Sequence, residues 1–430
     1  MRISTSMIYD QGVSTAQDQY TSLLKLQNQM ATGRRVLQPS DDPSASARAL
    51  EITQSQSVTE QFSRNADLAT SMLGLHESVL GSIGDLLQEV RATAVNAGNA
   101  TLSSSDRASL ATQLQGNYDQ LLSLANTKDG NGQFMFSGYQ GGTLPFTETT
   151  PGTVVYNGDQ GQRLIQLNAS RQIAVSSAGS DVFQRIHNGN GTFVTAAAGA
   201  NSGTGLVDPG LVLSPTLWNS AANSKNYTVK FSVSGAVPPV TTYDIVDNVS
   251  GKSMLTGVAA AAGPYLRTYT SGTTISLKTQ APPDTTATPF DYGAQLTISG
   301  APATGDTFTV KASSNQDIFA TIHNLITALQ SGGTNAAITN NNNTALSNID
   351  LAMDNVLSAR TAVGSTMKEV DGQLNTNGDL NLQYKTTLSQ LQDLDMVKAA
   401  SDLTQKQASL EAAQKSFLKI QGLNLFSYLQ

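Results

Sequence analysis

The stretch LSNIDLAMDNVLSARTAVGSTMKEVDGQL, residues 346–374, decides the architecture of this chain. Leu346, Ile349, Met353, Val356, Arg360, Val363, Met367, Val370 and Leu374 step through it by threes and fours without a miss, the spacing of a heptad seam. One position in the seam is charged. Arg360 either fixes register through a partner carboxylate or runs its stem along the seam and leaves the guanidinium at the rim. A stripe this narrow cannot bury itself and needs another helix of similar length.

Outward from it, the Asn-rich run 340–343 reads as a pause, preceded by a short helix over 317–330. A second pause falls at 375–378, and the pattern then resumes through Tyr384, Leu388, Leu391, Met396, Ala400, Leu403, Leu410, Ala413, Phe417 and Ile420. The chain ends in the apolar LNLFSYLQ. At the other end, Val13, Ala16, Tyr20, Leu23 and Met30 give a first amphipathic helix that stops near Gly33. In RRVLQPSDDP, two prolines hold the preceding residues extended, and Asp42 followed by Pro43 is a helix-start signal, carboxylate cap and first-turn proline. The helix this opens has no proline through Ala97. Leu68, Met72, Leu75, Val79, Ile83, Leu86, Val90, Ala94 and Ala97 suggest an eleven-residue repeat. A third helix is expected over 106–127.

Between these ends Gly, Thr, Ser and Val dominate and turn signals recur. VVYNGDQGQRLIQL reads as a hairpin turning at Asn157-Gly158, and NYTVKFSVSG, YDIVDNVSG, TTISLKT, AQLTISG and DTFTVKA read as further strands. GNGTFVTAAAGANSGTG reads as a mobile linker. The fold class is therefore α+β: a long antiparallel helical bundle from both termini with an inserted all-β region. The expected division is terminal helices over 1–42 and 385–430, disordered until assembled; a helical rod with a β-hairpin part over 43–189 and 312–384; and an outer β domain over 190–311.

Composition narrows function. The 430 residues carry 25 Lys and Arg against 32 Asp and Glu, a net charge of −7 that gives a polyanion no reason to bind. Residues 131–345 hold 9 basic and 10 acidic side chains, so the central region is almost neutral. Cysteine is absent, which removes disulfides, cysteine-ligated metals and a thiol nucleophile. The start, MRISTSMIYDQG, has no apolar signal core, and no run is long enough to span a membrane.

Chemistry is sparse. His76, His187 and His323 lie apart, without metal-ligand spacing. Phosphate-loop and nucleophile-elbow motifs do not occur. Asp284 and Asp291 are the nearest carboxylate pair for a glycan-acting site, but a Pro- and Thr-rich loop would position them poorly. Three N-glycosylation sequons fit chance in an Asn- and Thr-rich chain, and Trp218 fits core packing. No catalytic, cofactor-binding or metal residue is expected.

QMATGRRVLQPSDDPSASARAL, FMFSGYQ and DLDMVKAASDLTQKQASLEAAQKSFLKIQGLNLFSYL, in that order around a variable centre, resemble the bacterial flagellin family, and within it the proteins of the hook-filament junction. The resemblance implies a structural subunit without catalysis or cofactor. It would be exported through the flagellar type III apparatus without a cleaved signal and would assemble as an extracellular ring. Its neighbours would be hook-associated protein 1 and flagellin, and a cytoplasmic export chaperone would hold its C-terminal helices beforehand. The alternatives are a filament flagellin or, further off, a surface adhesin carried by the β domain. On this reading the sites are interfaces: Leu403, Leu410, Phe417, Ile420 and Leu425 for terminal packing and chaperone capture, faced by Val13, Tyr20, Leu23 and Met30.

Overall fold

The computed structural model describes residues 5–99 and 101–422. Three helices open the chain, α1 (Thr5–Thr32), α2 (Pro43–Ala97) and α3 (Ser104–Ala125). The short α4 (Gly179–Phe183) and α5 (Pro215–Trp218) lie among strands, and α6 (Ile318–Gln330), α7 (Asn335–Gln392) and α8 (Met396–Gly422) close it. The chain divides into two compact units, one of Met1–Asp67, Gln166–Arg171 and Asp371–Gln430, the other of Leu68–Ile165 and Gln172–Val370.

In the second unit α2 and α7 run antiparallel, Glu77 beside Arg360, Arg91 Nε 2.6 Å from Asp350, and Gly98 against Asn342. Neither pause expected in α7 exists; the helix is continuous through both Asn-rich segments. The reason lies in its buried face, where Asn342, Ile349, Val356, Val363, Val370 and Asn377 recur every seventh residue. Tertiary burial overrides the weak helix propensity of Asn and Gly. On α2 the eleven-residue repeat is also replaced by sevens. Ala66, Leu73, Leu80, Leu87 and Ala94 form one buried ladder, and Ala69, His76, Ile83, Val90 and Ala97 the next. Leu68 and Leu75, which set the other period, are 48% and 37% exposed. Reading large apolar residues as the stripe misses a seam built partly from alanine, the residue that lets helices approach closely.

Helix α3 opens with a capping box between Ser103 and Asp106, and α6 with Asp317 accepting from the Phe319 amide at 2.7 Å. The two helices pack on each other through Tyr118 and Phe319, rings 6.0 Å apart. Phe136 of FMFSGYQ, Phe146 and Phe319 gather around Phe183 at 5.2 to 5.7 Å. His76 joins them edge-on at 5.1 Å from Phe136.

The hairpin at Asn157-Gly158 is not formed. Strands β1 (Phe146–Thr150) and β2 (Thr153–Tyr156) turn instead at Pro151-Gly152, and β3 (Leu164–Gln166) pairs with β4 (Gln172–Ala174). Gly152 supplies the positive φ, +79°, that the turn requires, while the Asn157 side chain donates through Nδ2 to Thr147 Oγ1 at 2.7 Å.

Beyond β5 (Ile186–His187) the outer region begins at once with β6 (Phe193–Ala197), inside the segment read as a mobile linker. Two short strands, β7 (Leu206–Val207) and β8 (Leu211–Val212), are followed by the longer β9 (Asn226–Val233) and β10 (Thr241–Asp247). Then come β11 (Lys252–Ser253), β12 (Arg267–Thr268), β13 (Thr274–Lys278), β14 (Asp291–Ser299) and β15 (Thr307–Ala312); β16 (Asn315–Gln316) returns antiparallel to β5. One antiparallel sheet has the order β11-β10-β9-β15-β6, with β12 also on β10; a second has β13-β14-β7, with β8 also on β14. Between them lies one core that includes Phe193, Trp218, Val229, Phe231, Ile245, Ile298, Phe308 and Val310. Phe193, 5.1 Å from Trp218 and fully buried, is what turns the Gly-rich stretch into a strand.

Asp284 is no catalytic half-pair. Its carboxylate is sealed against Arg267, at 2.6 Å and 2.9 Å, with side chains 0% and 2% exposed, and the guanidinium also donates to Lys278 O at 2.6 Å. Asp291 sits on the surface beside Lys278.

Candidate functional site

Within the first unit, α1 and α8 lie side by side and antiparallel, Gly33 beside Leu394 at one end and Tyr9 beside Phe417 at the other. The stripe on α1 runs through Gly12, Val13, Ala16, Leu23, Leu26 and Met30; on α8 it runs through Ala399, Leu403, Leu410, Ala413 and Phe417. Among the described side chains here, only Leu23, Leu26 and Ala399 are buried; the rest of the stripe is half-buried. Tyr20, expected on the facing stripe, is 54% exposed and forms the rim of a groove with Val13, Ala16, Leu410 and Phe417. Ile420 lies in the last turns of α8, and Leu425 lies outside the described residues. Gly12 lets the pair close: a Cβ there would stand 2.8 Å from the Phe417 ring. Phe417 itself packs on Tyr9 at 5.2 Å.

The two breaks in the helical path are fastened to each other. The Arg35 amide donates to Gln392 O at 2.7 Å, and Leu394 N donates to Gly33 O at 2.9 Å. The Arg35 guanidinium reaches Leu391 O at 2.7 Å, a cation on the last carbonyls of α7, and Asp42 at 3.3 Å. Asp42 in turn accepts from Ala45 N at 3.0 Å, capping α2 with Pro43 in its first turn. Its neighbour Asp41 accepts from Lys25 at 2.6 Å and from the amides of Leu37 and Gln38. These bonds hold both carboxyls below the usual carboxylate range, Asp41 chiefly through Lys25 and Asp42 chiefly through the Ala45 amide. The motif residues that look like a loop therefore form a clasp between the α1–α2 and α7–α8 turns.

Arg360 Nε donates to Glu77 at 3.0 Å, while both side chains stay more than a third exposed, so the guanidinium has a carboxylate partner and lies at the rim. Leu26, Gly12 and Arg35 were not singled out by sequence reasoning. Leu26 was legible as i+3 from Leu23. Arg35 was not, because its partners are main-chain oxygens distant in sequence.

Among the described residues no His, Asp and Glu cluster could hold a metal, and no helix is long and apolar enough to cross a membrane. The three histidines are far apart in role. His76 is buried in the α2 seam with Nε2 unpartnered, and burial, helped by the charge of Arg163, pushes its pKa down to about 4.

A family model of the bacterial flagellin N-terminal helical region matches residues 3–141. Flagellar hook-associated protein 3 of Salmonella typhimurium is 41% identical over 186 residues, 43% of this chain and 58% of that protein, so the match spans less than two thirds of that curated relative. The crystal structure of flagellar hook-associated protein-3 from Legionella pneumophila superposes with a TM-score of 0.68 at 30% identity, covering 79% of this chain and 98% of that one. The Xanthomonas campestris FlgL crystal structure gives 0.65 at 29% identity, over 79% and 99%. The match of the N-terminal helical region, with 30% identity to the Legionella structure over 98% of its length, leads to one assignment: this chain belongs to the flagellin family, in its hook-associated protein 3 group.

Proposed function

We propose that this chain is a structural subunit of the bacterial flagellum, placed at the junction of hook and filament, and that it performs no catalysis. The observation that carries the reading is the stripe shared by α1 and α8, paired along its length yet left half-buried. A monomer gains little from such a surface, whereas neighbouring copies would complete its burial. Segments 1–42 and 385–430 are in this reading the assembling ends, whose pairing with each other is completed and fixed only when subunits meet. The helical part over 43–189 and 312–384 is the rod, and 190–311 is the outward domain.

Val13, Tyr20, Leu23, Met30, Leu403, Leu410, Phe417, Ile420 and Leu425 are the assembly residues. Copies of the chain form a ring between hook-associated protein 1 and flagellin, after an export chaperone has released the C-terminal helices and the flagellar type III apparatus has passed the chain outward without cleaving a signal. Deleting the gene, imaging the cells by electron microscopy and assaying the medium for flagellin tests this. Hooks without filaments and flagellin lost to the medium are expected; intact filaments would overturn it.

A further inference from the structure

The sheet β13-β14-β7 ends on β7, and among the described residues no strand is hydrogen-bonded to its outer edge. The amides of Thr204 and Asp208 donate inward, to Ala301 O and Thr297 O. Gly205 and Val207, between and beside them, therefore present their main-chain groups to the other side, as alternation along a strand requires. There the Asn340 side chain meets them both: Nδ2 donates to Gly205 O at 2.9 Å, and Oδ1 accepts from Val207 N at 3.0 Å. One carboxamide supplies the donor and the acceptor that a residue of a neighbouring strand would supply. The amide can be oriented only this way, since the flipped form would set N–H against N–H. Asn340 is 6% exposed on α7, a buried helical position where an apolar side chain is the ordinary occupant. An amide there is accounted for by the two main-chain groups it satisfies.

Two turns further along α7, Asn348 accepts from Gly189 N at 3.1 Å through Oδ1, and its main-chain oxygen accepts from Gln316 at 3.1 Å. Gly189 and Gln316 belong to the two connections, β5 and β16 side, through which the chain enters and leaves the outer β region. Both connections and the free sheet edge are thus tied to one face of α7.

We infer that Asn340 is a strand surrogate that seals the β7 edge and locks the outer β domain to α7, with Asn348 as the second bolt, so that the domain moves with the helix instead of swinging on its two connections. An open β7 edge would otherwise be a template for pairing with another chain.

The test uses the full chain and Asn340→Leu, which keeps the branched four-atom side-chain skeleton, is a better helix former than Asn and removes both bonds. Hydrogen exchange at the Val207 amide should accelerate at least tenfold. Spin labels at the exposed Val249 and Leu357 should give a broadened distance distribution. Trp218, the single tryptophan, buried in the outer core, reports whether that domain remains folded. If it does not in Asn340→Leu, Asn340→Ser, with Asn348→Ala added, is measured instead. Unchanged Val207 exchange together with an unchanged distance distribution in a folded variant would overturn the inference; faster exchange with broadening supports it.

Discussion

The outer β core and the α1–α8 pair bury apolar side chains by opposite rules. In the outer core, Phe193, Val229, Ile245, Ile298, Phe308 and Val310 are sealed from solvent by two sheets of the same chain. Along α1 and α8, residues of similar apolarity such as Val13, Met30, Leu410 and Phe417 are covered on one side only. A sheet pair closes around a core by itself, whereas two helices leave their flanks open. The first region closes its core within one chain, and the second leaves its apolar flank open, which is what the proposed assembly would cover.

The largest break in this contrast should come from Asp284→Ala. It strands the buried Arg267 guanidinium without its carboxylate, a loss on the order of 3–5 kcal/mol. Urea unfolding followed by Trp218 fluorescence should shift to a lower midpoint, while helical circular dichroism from the terminal pair keeps its own transition. A single shared shift would mean that the two regions are not independent.

Acid sharpens the comparison from another side. His76 takes up a proton near pH 6.5 when unfolded but only near pH 4 in the seam. Between those values the unfolded chain binds the extra proton, so folded stability falls as pH drops from 6.5 to 4 and levels off below that. The full loss is about 3 kcal/mol. Thermal melts at stepped pH should show this slope, and His76→Leu should flatten it; an equal slope in the variant would assign the acid sensitivity elsewhere. The outer core, which contains no histidine, should not share the slope.

A smaller effect is expected at the clasp. Asp42→Ala removes the cap from α2, and amides at Ser44, Ala45 and Ser46 should exchange faster, with the outer core unchanged. Protection that is equal to wild type would mean that Pro43 alone holds the helix start.

How much of this was readable in advance follows the same divide. Helix α7 announced itself over residues 346–374 through its heptad spacing, but the continuation of that period through Asn342 and Asn377 was read as two pauses, because Asn is a weak helix former whose burial the sequence does not show. The local signals that failed were overruled at a distance. The Asn157-Gly158 turn lost to the Pro151-Gly152 turn, since only Gly152 carries the positive φ there, and the Gly-rich linker became β6 because Phe193 had a place beside Trp218. On α2, alanines did the work expected of Leu68 and Leu75. Along the α1–α8 stripe the spacing was partly legible: Tyr20, Met396 and Ala400, read into it, stand exposed, while Leu26 and Ala399, not read, are buried. The clasp was illegible, because Arg35 answers to carbonyls that only the folded chain brings near.

Phe417→Asp should change the stability of the isolated chain least of all, by less than about 1 kcal/mol, as for substitutions at partly exposed positions. The ring is half-buried, touching Tyr9 and the open backbone of Gly12, and an aspartate there can turn to solvent without burying a charge. In an assembled array the same position would be enclosed on its second side, and the carboxylate would have no such escape. The variant should therefore melt like the parent yet fail to restore filaments in a deletion strain. Recovery of filaments would show that the stripe is ordinary intramolecular packing. A large drop in monomer stability would show that the terminal pair already closes its core alone, and would erase the contrast with the outer sheets.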